Sequence, residues 1–122
     1  MQRILLVEDD PVFRLTFRKI LVSRFPSLAL DEARDGKEAL DRIKVHPPDL
    51  VFMDLKLPGE NGLEVTQKVK ELYPEVVVII LTSHDFPEYR QAATEKGANY
   101  FLSKHSSSTE EILDLVRTIC FP

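Results

Sequence analysis

The sequence predicts an α/β fold in which a five-stranded parallel sheet is covered by helices on both faces. Five short apolar runs alternate with stretches of helical spacing, an order typical of strand–helix crossover units. The runs lie at 4–7, 28–30, 50–53, 76–81 and 100–102. The first, third and fourth are apolar throughout, as strands buried on both faces are. We therefore expect one unbroken (βα)₅ unit, a doubly wound sheet with right-handed crossovers.

The stretches between the runs have apolar residues three or four positions apart, the spacing of one buried helix face. In chain order, four such faces are Phe13, Phe17, Ile20 and Leu21; Ala39, Leu40 and Ile43; Val65, Val69, Leu72 and Tyr73; and Ile112, Leu115, Val116 and Ile119. The fourth helix, around Tyr89, Ala92 and Ala93, has a thinner apolar face. Helix starts are expected at Asp10 before Pro11 and at the capping boxes Asp35/Glu38, Asn61/Glu64, Asp85/Glu88 and Ser107/Glu110.

The second apolar run alternates more than the others and leads into Asp31 and Glu32, which is typical of a strand at the sheet edge. With the alternating element order, this predicts strand order 2-1-3-4-5, the flavodoxin-like arrangement. In such sheets, ligands bind beyond the carboxyl ends of the strands. The residues that directly follow each run are therefore the candidate functional residues.

Length and composition limit the classes of function. The 122 residues, 43% hydrophobic and 30% charged, predict a single domain over 1–122. A formal net charge of -4 argues against direct nucleic-acid binding by this domain. No apolar run approaches the roughly 18 residues that a membrane span needs, and the N-terminal residues show no signal-peptide pattern. Cys120 is the only cysteine, which favours a reducing cytoplasm and a place in the core.

Polar and charged residues follow four of the strands where their carboxyl ends meet. They are Glu8, Asp9 and Asp10 after the first strand, Asp54 after the third, Thr82 and Ser83 at the end of the fourth, and Lys104 after the fifth. Two unit charges about 4 Å apart repel by roughly 4 kcal/mol at an effective dielectric near 20, so the acids need a counter-charge. Lys104 supplies one positive charge, and Mg²⁺ would supply two more. We expect Asp10 to cap the first helix, because Pro11 follows it.

With a divalent cation, this set has the parts for phosphoryl transfer. Asp54 is a carboxylate nucleophile, Thr82 a hydroxyl donor and Lys104 a fixed cation. Each also has an ordinary structural explanation: a helix cap for Asp54, local backbone hydrogen bonds for Thr82 and a surface position for Lys104. Pro58, Gly59 and Asn61 postpone the next helix, which argues against the cap.

The chain resembles the response regulator receiver family over essentially its whole length. The motifs that carry the resemblance are ILLVEDD at 4–10, DGKEAL at 35–40, PDLVFMDLKLPG at 48–59, Gly62, LTS at 81–83, GA at 97–98 and YFLSK at 100–104. Each motif alone is weak evidence, but together, in order and at consistent spacing, they are specific. The segment 100–107, which is serine-rich and lacks proline, is similar to the receivers of LuxR-type transcription factors.

The resemblance implies a metal site and a phosphoacceptor. Asp54 corresponds to the phosphoacceptor and Asp9 to a direct ligand of Mg²⁺ or Mn²⁺. Glu8 corresponds to an acid that often reaches the metal through water, and the backbone carbonyl of Lys56 to a further ligand.

The resemblance also implies phosphoryl contacts and a switch. Thr82 and the backbone N–H of Ser83 should meet the phosphoryl oxygens, and Lys104 should pair with Asp54 or its phosphoryl group. Phe101 stands where the family has an aromatic switch residue, whose ring turns inward as the threonine moves. This change reshapes the face formed by the fourth helix, fifth strand and fifth helix.

The implied partners are a histidine kinase or phosphotransfer protein as donor, and a C-terminal output domain or a downstream protein as receiver of the signal. A homodimer through the fourth and fifth helices is compatible with the resemblance. The chain departs from the family at His105, where proline after the site lysine commonly forms a cis peptide. Because a non-proline cis bond costs roughly 2.5–4 kcal/mol, we expect the Lys104–His105 bond to be trans.

Three other functions are distinguishable from the residues. A binding-only pseudo-receiver, which signals by contact, would be marked by a missing acid, threonine or lysine, and none is missing. A haloacid dehalogenase-type hydrolase needs a second aspartate two residues after the nucleophile, where Lys56 stands. A flavin-binding protein needs a phosphate-cradling loop after the first strand, where Glu8 and Asp9 would repel a phosphate.

Overall fold

The computed structural model describes residues 2–122 as strands alternating with helices. The strands are β1 (Arg3–Val7), β2 (Ala29–Ala33), β3 (Leu50–Met53), β4 (Val77–Thr82) and β5 (Tyr100–Ser103). The helices are α1 (Pro11–Arg24), α2 (Gly36–Val45), α3 (Gly62–Leu72), α4 (Pro87–Glu95) and α5 (Thr109–Cys120). None of these helices is long and apolar enough to cross a membrane.

The five strands form one parallel sheet in the order β2-β1-β3-β4-β5, which confirms the predicted flavodoxin-like topology and the edge position of β2. The register aligns the strand ends. Val7 pairs with Met53, so the following residues Glu8 and Asp54 leave the sheet side by side. Thr82 pairs with Ser103, one residue before Lys104. Backbone pairing alone therefore brings the polar strand ends to one edge.

The core has two layers, one on each face of the sheet. Alternate β1 residues enter opposite layers: Leu5 and Val7 pack with residues of α2 and α3, whereas Ile4 and Leu6 pack with residues of α1 and α5. Burial of each large aliphatic side chain contributes about 1.5–3 kcal/mol, so both layers stabilise the same sheet. Cys120 is 2% exposed, which confirms its expected place in the core.

Three of the predicted helix caps are confirmed. Asp10, Asp35 and Asn61 each accept a hydrogen bond from a backbone N–H in the first turn of the helix that follows. These side chains satisfy donors that have no partner within the helix. Asp10 is therefore the cap of α1, as its position before a proline indicates.

The other two predicted caps are wrong, because each side chain has another partner. The carboxylate of Asp85 bonds to Arg90, and α4 begins after Phe86 with no side-chain cap. The hydroxyl of Ser107 accepts the N–H of Ser103, and Ser108 caps α5 instead. In α3, the predicted burial of Leu72 is also wrong.

Leu72 is the last residue of α3 and is 66% exposed. The chain leaves helical geometry at Tyr73, and the ring of Tyr73 packs against the core instead. Helical spacing therefore predicts the buried face of α3 only as far as the helix continues.

Candidate functional site

Three carboxylates meet where β1 and β3 end. Glu8, Asp9 and Asp54 each present an oxygen, and these oxygens lie within 4.8 Å of one another. Glu8 and Asp54 are buried, whereas Asp9 is exposed. The N–H of Leu55 donates to Oδ1 of Asp54 at 2.7 Å, which fixes the orientation of that carboxylate. The structure thus brings together the three acids predicted from the sequence.

Lys104 provides the positive charge of the cluster. Its Nζ lies 2.7 Å from Oε1 of Glu8 and 3.3 Å from Oδ2 of Asp54, and its side chain is only 11% exposed. Burial lowers the pKa of Lys104, but the hydrogen bond with Glu8 and the charge of Asp54 outweigh it, so the net pKa is raised. The ammonium therefore stays charged and offsets part of the repulsion among the acids.

Glu8 already has a donor for each carboxylate oxygen. Oε1 accepts from Lys104, and Oε2 accepts the backbone N–H of Asp10 at 3.1 Å. Burial raises the pKa of Glu8 from an ordinary 4.5 to about 7, although the hydrogen bond from Lys104 acts in the opposite direction. Glu8 therefore binds Lys104 directly. Asp9, which is exposed, is more accessible to a cation than Glu8 is.

The donor set fits a hard divalent cation. Carboxylate oxygens are the ligands that Mg²⁺ and Mn²⁺ prefer, and a cation here would sit between acids that otherwise repel one another. Glu8, Asp9 and Asp54 are the described residues that could hold it. Lys56, whose backbone carbonyl is the further expected ligand, lies two residues after Asp54 in the same loop.

Serine side chains hold the segment that carries Lys104. The hydroxyl of Ser103 accepts the N–H groups of His105 and Ser106, both at 3.1 Å, while Ser103 itself donates its N–H to the hydroxyl of Ser107. The N–H of Lys104 donates to the carbonyl of Thr82 at 2.8 Å. Residues 2–122 contain no cis peptide, so the predicted trans bond before His105 is confirmed.

Sequence reasoning missed the role of Ser103. Its signal was present as a serine-rich stretch, but only the structure shows that the hydroxyl receives two backbone donors. Ser103 is 2% exposed, so these bonds are shielded from water. The hydrogen bonds of Ser103 and Ser107 thus hold the segment of Lys104 although His105 stands where receivers commonly have a proline.

We expect His105→Pro to destabilise the protein by about 1 kcal/mol, because proline removes the N–H that donates to Ser103. His105→Ala, which keeps the N–H, is the matched control. The free energies of unfolding of both variants can be measured by urea denaturation. A proline variant as stable as the alanine variant would contradict the importance of this bond.

Thr82 and Ser83 lie at the end of β4, beside the segment that carries Lys104. Thr82 is fully buried, and its hydroxyl accepts the backbone N–H of His84 at 3.1 Å. This is the local backbone bond considered from the sequence. It does not use the hydroxyl proton of Thr82, and Nδ1 of His84 lies 3.5 Å from the hydroxyl oxygen. Ser83 is exposed at the start of the following loop.

Two predicted residues contact α4. Nζ of Lys56 lies 3.2 Å from the hydroxyl of Tyr89. The Phe101 ring is partly buried, and the guanidinium of Arg90 lies over it at 4.6 Å from the centroid. Arg90 also donates to the carbonyl of Phe101 at 3.2 Å and to Asp85 at 2.7 Å. The expected switch residue is thus joined to α4 and to the loop before it.

A glycine allows the loop after Asp54 to fold closely against α3. The N–H of Gly62 donates to the carbonyl of Leu55 at 2.9 Å. A Cβ at position 62 would overlap the carbonyl oxygen of Asp54 and lie 2.9 Å from its carbonyl carbon. The first residue of α3 therefore supports the backbone of the candidate nucleophile.

Comparison with known sequences identifies the relatives of this arrangement. Residues 4–117 match the response regulator receiver domain family. The oxygen regulatory protein NreC of Staphylococcus carnosus (strain TM300) is 35% identical over 118 residues, which are 96% of this chain and 54% of that protein. The chain thus spans about half the length of this relative.

Solved structures have the same fold. A LuxR-family two-component response regulator from Aurantimonas sp. SI85-9A1 superposes with a TM-score of 0.87 at 34% identity, covering 97% of this chain and 84% of that chain. The Mn²⁺-bound form of response regulator Rcp1 superposes with a TM-score of 0.82, covering 97% of this chain and 93% of that chain. At 23% identity, the second likeness concerns the fold alone.

Proposed function

Because this chain belongs to the response regulator receiver domain family, we propose that Asp54 accepts a phosphoryl group from a histidine kinase or a phosphotransfer protein. The observation that carries the proposal is the cluster itself. Asp54 is a buried carboxylate between two further acids and a lysine, at the carboxyl edge of the sheet. Residues 1–122 would form one receiver domain in the cytoplasm.

In the proposed reaction, a carboxylate oxygen of Asp54 attacks the phosphorus, and the bond from phosphorus to the donor's leaving group breaks. A divalent cation held by Asp9, Asp54 and the Lys56 carbonyl, with Glu8 acting through water, would offset the negative charge of the phosphoryl oxygens. Three protein groups contact those oxygens: the Lys104 ammonium, the Thr82 hydroxyl and the Ser83 N–H. Lys104 needs little movement, since it already lies 3.3 Å from Asp54.

The proposed output is a change in the face formed by α4, β5 and α5. Thr82 moves toward the phosphoryl group, and the Phe101 ring turns inward. The recipient is an output domain or a separate protein, and two copies could pair through α4 and α5. Similarity to a LuxR-family two-component response regulator, together with the likeness of residues 100–107 to receivers of LuxR-type transcription factors, supports a role in transcription regulation. DNA contact would belong to the output domain, because this domain is acidic.

The binding-only pseudo-receiver is the less favoured alternative. It would be marked by a missing acid, threonine or lysine, whereas Glu8 and Asp54 are both present and Lys104 contacts both of them. Titration calorimetry with Mg²⁺ separates the two functions, because a pseudo-receiver is expected to show no saturable binding at these acids.

The phosphoacceptor role can be tested with beryllofluoride, a stable analogue of the phosphoryl group. Adding it with Mg²⁺ is expected to shift the backbone NMR signals of Asp54, Thr82 and Lys104 in a saturable manner. Asp54→Asn, which lacks the second carboxylate oxygen, is the matched control and should not respond. No response in the wild type, or an equal response in the control, would overturn the proposal.

A further inference from the structure

Phe13 has a contact that its place on an apolar helix face does not predict. Nζ of Lys104 lies 4.1 Å from the centroid of the Phe13 ring. An ammonium within about 6 Å of an aromatic ring is attracted by the negative face of the ring. The contact joins the first turn of α1 to the segment after β5, and it is made at the ammonium that also touches Asp54.

The ring differs from the other partners of Lys104 in carrying no charge. Glu8 and Asp54 attract the ammonium strongly, at 2.7 and 3.3 Å. When Asp54 becomes an acyl phosphate, its negative charge passes to the phosphoryl oxygens, and the shorter contact with Glu8 would draw the lysine away from them. The attraction to Phe13 is unchanged by the reaction, so it can hold the ammonium where the phosphoryl group arrives.

Phe13 is itself held in place by aromatic packing. Its ring stacks on Phe17 with centroids 5.7 Å apart, and Phe17 meets Phe52 edge-on at 5.0 Å. Phe52 is 1% exposed and lies on β3, the strand that ends at Asp54. Aromatic pairs of this kind prefer defined geometries. The ring that contacts Lys104 is thereby tied to the strand that presents the nucleophile.

We infer that Phe13 is a positioning residue for phosphoryl transfer, which acts through Lys104 by holding its ammonium beside Asp54. This inference rests on the proposed phosphoacceptor role of Asp54. Phe13 also lines a groove of about 200 Å³ between α1 and α5. Effects on the docking of a protein donor must therefore be separated from effects on Lys104.

A small phosphodonor separates the two effects, because it does not dock as a protein donor does. With phosphoramidate and Mg²⁺, Phe13→Leu is expected to lower the phosphorylation rate constant about 3- to 10-fold, because leucine packs but offers no π face. Phe13→Tyr, which keeps the ring, should restore the rate. In a Lys104→Ala background, Phe13→Leu should have no further effect, as expected of two residues that act as a unit.

The outcomes distinguish this inference from the proposed function. A wild-type protein that is not phosphorylated would remove both. A phosphorylated wild type with an equally fast Phe13→Leu variant would remove the positioning role alone, as would an undiminished effect of Phe13→Leu in the Lys104→Ala background. Phe17→Leu, which alters the same aromatic packing without touching Lys104, should lower stability while changing the rate constant less than Phe13→Leu does.

Discussion

Gly62→Ala is expected to lower the free energy of unfolding by about 3 kcal/mol, although alanine is the better helix former by up to about 1 kcal/mol. The new Cβ would overlap the carbonyl oxygen of Asp54 and lie 3.0 Å from the Cα of Leu55. Both are backbone atoms, so no side-chain rotation relieves the overlap. Relief requires movement of Asp54 itself, and Mg²⁺ binding measured by calorimetry should weaken as well.

Gly59→Ala is the matched control for this prediction. Gly59 has a φ of 78°, but nothing lies within 4 Å of a Cβ placed there. Alanine at this position should cost about 1–2 kcal/mol from backbone conformation alone. Urea denaturation of Gly62→Ala and Gly59→Ala compares the cost of the atomic overlap with the cost of the backbone conformation. Equal losses of stability would mean that α3 does not approach Asp54 as closely as the structure shows.

The metal-free protein is expected to lose stability as the pH rises from about 4.5 to 7, through the titration of Glu8. Burial raises the pKa of Glu8 to about 7, so the folded state binds this proton more tightly than the unfolded state does. The favourable contribution is complete below pH 4.5 and is lost as the pH passes 7. At 1.36 kcal/mol per pKa unit, it amounts to about 3 kcal/mol.

Comparison with Glu8→Gln isolates this contribution from other titrating groups. Glutamine is neutral at every pH, so the variant should resemble the wild type near pH 4.5 and be more stable by up to about 3 kcal/mol at pH 7.5. Glu71→Gln, at an exposed position of α3, is the control. Urea denaturation in the presence of EDTA measures each value. If the difference in stability between the wild type and Glu8→Gln does not change with pH, the pKa of Glu8 is not raised in the folded protein.

Local sequence patterns predicted the fold because apolar runs and helical spacing of apolar residues alternate along the whole chain. The alternation of apolar runs and helical spacing led to the observed strand order, and the strand ends led to the acids and Lys104. Two of the predicted helix caps failed because another partner competes for the side chain. Asp85 bonds to Arg90 instead of capping α4. The hydroxyl of Ser107 accepts the N–H of Ser103 instead of capping α5.

Local sequence patterns did not predict the contacts between residues that are distant in the chain. The spacing of Phe13 correctly placed it on the apolar face of α1, but its contact with Lys104 depends on how α1 and the end of β5 pack together. The turn at Ser103 likewise depends on hydroxyl geometry that a serine-rich segment does not specify.

Arg90 has a consequence for how this domain can change shape. One guanidinium contacts the ring of Phe101, its carbonyl and the carboxylate of Asp85. Rotation of the Phe101 ring therefore either breaks the cation–π contact or carries the side chain of Arg90 with it. A probe that detects the contact between Arg90 and Phe101 would therefore also report a change in the orientation of the ring.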